Sequence, residues 1–154
     1  MKKPSPYREA MDYLTRLVGK PLCYGIKSPD MDLYDFGFGE RVRVSSAYWG
    51  ERDACTHILH ATCRFKIIKL GAEASAEIFD EDTPAELFSS RIRRLVGLKV
   101  NRLALSDKND LWLDFGDFRM VFATFENGEE SWRYFTCNKD EPHLVASDLG
   151  FEFT

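Results

Sequence analysis

Residues Arg16-Leu17-Val18-Gly19 recur later in the chain as Arg94-Leu95-Val96-Gly97. The first stretch ends a segment that begins at Ser5-Pro6, and the second ends a segment that begins at Thr83-Pro84. The distance between the two copies is the same at both ends of the segment. A match that keeps its spacing indicates an internal repeat.

Two further matches follow in the same order along the chain. Residues 32–37 (DLYDFG) recur as residues 110–116 (DLWLDFG) with one residue inserted, and residues 59–62 (LHAT) resemble residues 121–124 (VFAT). We therefore predict a single domain, residues 1–154, made of two half-repeats at about 5–80 and 83–154.

Each half begins with an amphipathic segment of helical period. The apolar face of the first segment comprises Tyr7, Ala10, Met11, Leu14, Leu17 and Val18, and that of the second comprises Leu87, Phe88, Ile92 and Leu95. Gly19 and Gly97 can end these helices in the left-handed conformation. Alternating apolar residues follow each helix, as in antiparallel strands. The sequence thus predicts an α+β fold of two pseudo-repeated units, each a helix plus antiparallel strands, sharing one core.

Three strand signals are specific enough to be compared with a structure. Residues 57–68 read as one long strand, because apolar residues alternate along them without a break. Gly116-Asp117 predicts a reversal between two strands. Asn127-Gly128 predicts a hairpin, because both residues tolerate a positive φ.

Charge and apolar patterning exclude several classes of protein. The formal net charge is −4, whereas nucleic-acid binders usually carry a basic surplus, so we expect no nucleic-acid partner. No apolar run approaches the roughly 20 residues that cross a bilayer, and Lys2-Lys3 is not followed by the apolar run of a signal peptide. The isolated cysteines Cys23, Cys55, Cys63 and Cys137 suit reduced thiols. We expect a cytoplasmic protein without a membrane partner.

The sequence predicts no catalytic residue, no metal site and no cofactor, and an enzyme is not favoured. Cys55, His57 and His60 lie close together, but on a strand the two histidines point to opposite faces. Four aspartates flank predicted turns and are expected to bond to nearby backbone N–H groups: Asp107, Asp110, Asp114 and Asp117. Phosphate-binding loops and nucleophile-elbow motifs are absent from the sequence.

Two segments are candidate partner-binding sites. Residues 40–54 have no counterpart in the second half and include Tyr48 and Trp49, which either form an exposed aromatic contact or fold back onto the core. Residues 73–86 carry acidic side chains, among them Asp80, Glu81 and Asp82, and no Lys or Arg. Such a run is either a solvated surface or an acidic docking surface for a basic protein.

Three stretches resemble the signature strands of a family of small uncharacterised bacterial cytosolic proteins. They are residues 59–67 (LHATCRFKI), 132–135 (WRYF) and 142–145 (PHLV), with Arg64-Phe65-Lys66 departing from the aromatic–Arg order of that family. The resemblance implies a bacterial source and assigns no activity or site residue. In its size and acidity the chain is also similar to immunity proteins, which neutralise a cognate bacterial toxin.

The leading functional hypothesis is a non-enzymatic protein-binding domain, of which a toxin-neutralising immunity protein is an example. A basic protein, such as a toxin, is the expected partner. The first alternative is a small-molecule-binding or enzymatic domain, with a pocket between the two halves where His60, His143 or the turn aspartates converge. The second alternative is a structural or oligomerising module.

Overall fold

The structure, a computed structural model, describes residues 6–28, 33–46, 50–71, 76–80 and 83–154. The described strands form two antiparallel sheets, one of six strands and one of five. A single cluster of buried residues lies between them and includes side chains of both halves. The prediction of an α+β fold is therefore wrong, because the protein is β-rich and its two described helices are short.

The elements follow one another along the chain as α1 (Pro6–Leu14), a 3-10 turn (Thr15–Leu17), β1 (Leu22–Lys27), β2 (Tyr34–Ser46), β3 (Gly50–Ala61), β4 (Arg64–Lys69), β5 (Ala76–Asp80), α2 (Ala85–Ile92), β6 (Arg102–Leu105), β7 (Leu111–Asp114), β8 (Phe118–Ala123), β9 (Trp132–Thr136), β10 (Leu144–Ser147) and β11 (Gly150–Phe153). The six-stranded sheet has the order β1-β2-β3-β9-β10-β11, and the five-stranded sheet has the order β5-β4-β8-β7-β6.

The helices fill the margins of the sheets instead of forming a layer of their own. Helix α2 packs against β1 and β5, and α1 packs against β11. Each helix and the turn after it bury only a narrow apolar face, made of Ala10, Leu14 and Leu17 in the first copy and of Phe88, Ile92 and Leu95 in the second. Tyr7, Val18 and Leu87 were predicted on these faces and are exposed. The predicted left-handed glycines are confirmed, with φ of 85° at Gly19 and 92° at Gly97.

Each sheet contains strands of both halves, so neither half has a sheet of its own. Strands β1, β2 and β3 continue through β9 of the second half, and β6, β7 and β8 continue through β4 of the first half. The predicted long strand 57–68 is wrong, because β3 ends at Ala61 and β4 begins at Arg64 in the other sheet. The predicted hairpin at Asn127-Gly128 is wrong for the same reason, since it joins β8 to β9 across the sheets. The reversal at Gly116-Asp117 is confirmed, because β7 and β8 pair there.

Backbone hydrogen bonds join the segments that follow the two helices. Gly19 N–H donates to Val100 O (2.7 Å), and Gly97 N–H donates to Leu22 O (2.8 Å). Leu22 N–H donates to Leu98 O (2.9 Å), and Val100 N–H donates to Lys20 O (3.0 Å). In each of these two pairs of bonds, the second bond is the first with residues 19–22 and 97–100 interchanged. The two segments are therefore related by a local two-fold symmetry.

The chain crosses between the sheets at two places that also contact each other. Thr62 N–H and Cys63 N–H, between β3 and β4, both donate to Ser131 O, at 3.0 and 3.2 Å. Ser131 precedes β9 and is fully buried. Beneath the crossings, Phe36 of one sheet packs against Phe65 and Phe122 of the other, with ring centroids 5.1 and 5.6 Å apart. This aromatic contact joins the two sheets in one apolar core.

Candidate functional site

Most of the predicted partner-binding residues lie outside the part of the chain that the structure describes. These are Tyr48, Trp49, Glu81 and Asp82. For Asp80 the structure describes the backbone, at the end of β5, and not the side chain. The candidate sites below therefore come from other residues.

The prediction that His57 and His60 face opposite sides of their strand is confirmed. His57 is buried, and its Nδ1 lies 2.8 Å from the Tyr134 hydroxyl. Burial lowers the pKa of His57 and raises that of Tyr134, so both groups are neutral at neutral pH. His60 lies on the outer face, with Nε2 3.3 Å from Asp35 Oδ1.

His60 belongs to a row of side chains that crosses the outer face of the six-stranded sheet. Its ring meets Phe135 edge-on, with centroids 4.9 Å apart, and Phe135 stacks on His143 at 4.2 Å and 13°. Arg133 Nη1 lies 2.9 Å from His143 Nδ1, so a neutral His143 accepts this bond at Nδ1 and carries its proton on Nε2. Arg133 also forms a bidentate ion pair with Glu130, at 3.1 and 2.7 Å.

Burial and two neighbouring side chains determine the protonation of His143. Burial, the guanidinium of Arg133 and the imidazole of His60 lower the pKa of His143, and Glu130 opposes them. His143 is therefore mainly uncharged at neutral pH. Of the groups that the sequence suggested for a pocket between the halves, His60 and His143 both contact the ring of Phe135, but only His143 lines the groove described below.

A groove lies beside His143, between strands of the first half and the loop after β9. Its walls are Val44, Ser45, Ala54, Ile58, Phe135, Thr136, Cys137, Asn138, Lys139 and His143, and its volume is about 180 Å³. Ala54 and Ile58 are each only 7% exposed although they lie on the outer face, because the groove's walls cover them. The sequence analysis did not predict this groove, because its walls come from β2, β3, β9 and the loop after β9, and no local pattern specifies how these segments meet.

A bulge bends the β2–β3 hairpin and so creates the groove. The register passes from Phe38↔His57 directly to Arg41↔Cys55, which leaves Gly39 and Glu40 opposite one residue, Thr56. Gly39 has φ of 92°, and a Cβ there would lie 2.1 Å from Thr56 Oγ1, so only glycine fits. Lys139 Nζ donates to Ser45 O at 3.3 Å and closes the far side.

The turn aspartates lie on the five-stranded sheet, away from the histidines. Asp114 forms ion pairs with Arg119, at 2.6 Å, and with Arg102, at 3.2 Å. These partners hold the pKa of Asp114 below its usual range. Asp110 Oδ1 accepts bonds from the Thr124 backbone N–H at 2.8 Å and from the Thr124 hydroxyl at 3.0 Å, so it joins its turn to the end of β8 instead of bonding within the turn. In the described ranges, no three His, Cys, Asp or Glu side chains are grouped so that they could hold a metal ion.

The cysteines do not assemble a nucleophilic site in the described part of the chain. None of the four forms a disulfide, and Cys55 and Cys63 are buried. Burial raises the pKa of the Cys55 thiol to about 12, so this thiol is not a thiolate at neutral pH. Cys137 and His143 line the same groove.

An acidic cleft lies at the other end of the same outer face, around the β10–β11 turn. Its volume is about 410 Å³, and Glu130, Glu152 and Leu149 contribute to its walls. Leu149 is 82% exposed, the highest value among the exposed large apolar side chains. Its Cδ1 lies over Gly128, where a Cβ would come within 2.8 Å. Asp148 accepts a bond from Gly128 N–H at 2.9 Å, and Glu126 and Glu129 flank Asn127-Gly128 in the sequence. Lys108 pairs with Glu126, and Arg133 pairs with Glu130.

Comparison with protein-family models, with curated proteins and with solved structures gives no match to this chain. Among the helices of the described ranges, none has both the length and the apolar character needed to cross a bilayer.

Proposed function

We propose that the protein is a non-enzymatic protein-binding domain that docks a basic partner at the acidic cleft. The observation that carries this proposal is Leu149, an apolar side chain with 82% exposure at the rim of a cleft flanked by carboxylates. Interfaces commonly place apolar anchors within a charged rim, and complementary charge speeds the encounter of the two proteins.

The charge balance around the cleft favours a basic partner. Glu130 and Glu152 line the cleft with Leu149, and Asp148 accepts a bond from the N–H of Gly128, another lining residue. Glu126 and Glu129 flank Asn127-Gly128 in the sequence, and the nearby cations are Lys108, paired with Glu126, and Arg133, paired with Glu130. The whole chain carries a formal net charge of −4, which adds a long-range attraction for a cation-rich surface. A toxin neutralised by this protein is one such partner. Four cysteines outside any disulfide support a cytoplasmic location.

The first experiment recovers partners of the tagged chain at low salt and identifies them by mass spectrometry. A single stoichiometric partner that salt releases supports the proposal, and a column without any partner contradicts it. If the partner is a toxin, its expression alone should arrest growth, and co-expression with this chain should restore growth.

The second experiment measures association of the purified partner with variants of the cleft. Glu129→Lys with Glu152→Lys should slow association about tenfold at low salt, and Leu149→Ser should speed dissociation. Glu86→Lys with Asp117→Lys is the matched control, because these exposed carboxylates lie on α2 and in the β7–β8 turn and do not line the cleft. A triple change, Asp80→Lys with Glu81→Lys and Asp82→Lys, tests the acidic stretch separately. Equal rates for the cleft variant and the control would exclude the cleft.

A further inference from the structure

The groove beside His143 has apolar walls and one cationic side chain at its rim. Val44, Ala54, Ile58 and Phe135 supply the apolar surface, and Lys139 is the cation. None of the described residues that line the groove is a carboxylate, although acidic residues outnumber basic ones in the chain, 25 to 21. The groove shares no lining residue with the acidic cleft.

Two carboxylates on the segments that flank the groove pair with other side chains, and Asp140, which follows Lys139, is exposed and is not among the lining residues. Glu141 forms an ion pair with Arg16, and Glu130 forms one with Arg133. Lys139 bonds only to a neutral carbonyl, Ser45 O, among the contacts that the structure records for it. Its ammonium is therefore available to attract a negative charge at the rim.

The dimensions of the groove limit the size of its occupant. A cavity of roughly 150 Å³ accepts benzene in an engineered protein, and drug-sized ligands need about 300–1,000 Å³. The groove, at about 180 Å³, has room for one six-membered ring or a short alkyl chain with a small polar group. Phe135, which stacks on His143, also lines the groove and gives such a ring an aromatic contact.

We propose that this groove is a binding site for a small aromatic or short-chain carboxylate, with the hydrocarbon on Ile58 and Phe135 and the carboxylate beside Lys139. Charge complementarity selects an anion over a neutral or cationic compound of the same shape. The site is independent of the docking of a basic protein at the acidic cleft.

Benzoate is the test compound, and benzyl alcohol and benzylamine are its neutral and cationic counterparts. In a two-dimensional NMR titration of the full chain, benzoate should give saturable shifts at residues 44–45, 54, 58, 135–139 and 143. Benzyl alcohol should bind at least threefold more weakly, and benzylamine should give no saturable shift. Absence of saturable benzoate shifts, or equal binding of the alcohol, would overturn the proposal.

Two variants locate the site. Lys139→Gln should weaken benzoate about threefold, the size expected for an exposed charge, whereas Lys108→Gln on the other sheet should leave it unchanged. Ala54→Met should abolish binding by filling the groove. If Ala54→Met fails to fold, the wild-type titration and the lysine pair still decide the question, because equal losses for the two lysine variants would exclude the groove.

Discussion

The outer faces of the two sheets differ in how their charged side chains are paired. On the five-stranded sheet, Asp114 lies between two guanidiniums, and Arg119 also covers the Trp112 ring at 5.0 Å. On the six-stranded sheet, His60, Phe135 and His143 form a row that ends at a groove. The first arrangement satisfies its charges internally and stabilises the fold, whereas the second leaves Lys139 and the apolar walls of the groove accessible to a ligand.

The largest expected effect comes from removing an aromatic ring of the core between the two sheets. Phe36→Ala should lower the free energy of unfolding by about 3–5 kcal/mol, because Phe36 is fully buried against rings of both sheets. Urea unfolding followed by tryptophan fluorescence measures this loss. Phe135→Ala, on the outer face, is the matched control and should cost roughly 1–2 kcal/mol. Similar losses for both variants would mean that the groove face also supports the core.

The next prediction compares the loss of stability when one carboxylate on each outer face is neutralised. Asp114→Asn should destabilise the protein by about 1–3 kcal/mol at neutral pH, because Asp114 is 13% exposed and two guanidiniums would lose their partner. Asp35→Asn, beside His60 and the Tyr24 hydroxyl, should cost less than about 1 kcal/mol, since Asp35 is 33% exposed.

The pH dependence of unfolding tests whether the ion pairs of Asp114 stabilise the protein. Its folded pKa is lowered, so its stabilisation is present above the unfolded pKa of about 3.9 and disappears as the pH falls through the lower folded value. The difference between wild type and Asp114→Asn should therefore shrink at acid pH. A difference that stays constant down to pH 2 would contradict the ion-pair explanation.

The smallest expected effect concerns His143 on the six-stranded sheet, and it is a change in how steeply the free energy of unfolding depends on pH. The pKa of His143 is lowered in the folded protein, so stability is unaffected above the unfolded value of about 6.5 and declines as the pH falls below it. His143→Gln should make this decline shallower in urea unfolding between pH 7 and 5. Asp114→Asn should leave the same window unchanged, since its effect belongs at lower pH. An unaltered slope in the His143 variant would show that His57 alone causes the decline.

Local chemistry predicted the ends of elements, and long-range pairing decided the fold. Gly19 and Gly97 were recognisable because helices end where a residue can take a positive φ. The break between β3 and β4 was not recognisable, because Leu59, Ala61, Cys63, Phe65 and Ile67 all face the same core. Alternation with a period of two thus continues unbroken through the crossing, although the strand leaves one sheet and enters the other.

The same reason explains what could be predicted of the candidate site. The opposite orientations of His57 and His60 follow from strand geometry alone and were predicted correctly. The meeting of His60 with Phe135 requires β3 to pair with β9, where His60 lies opposite Arg133. No local pattern specifies that pairing, so the row on the outer face emerges only with the complete fold.

The exchange of strands between the halves determines when the chain can fold during its synthesis. Strand β3 can pair with β2 as soon as both are made, but its other edge stays unpaired until β9 has left the ribosome, and one edge of β4 waits in the same way for β8. Until then the first half presents an unpaired strand edge and an uncovered aromatic surface, the features that recruit chaperones and promote aggregation. Translation of the second half is thus the step that commits the first half to its native structure, and a ribosome stalled before β8 would hold a chain without either complete sheet.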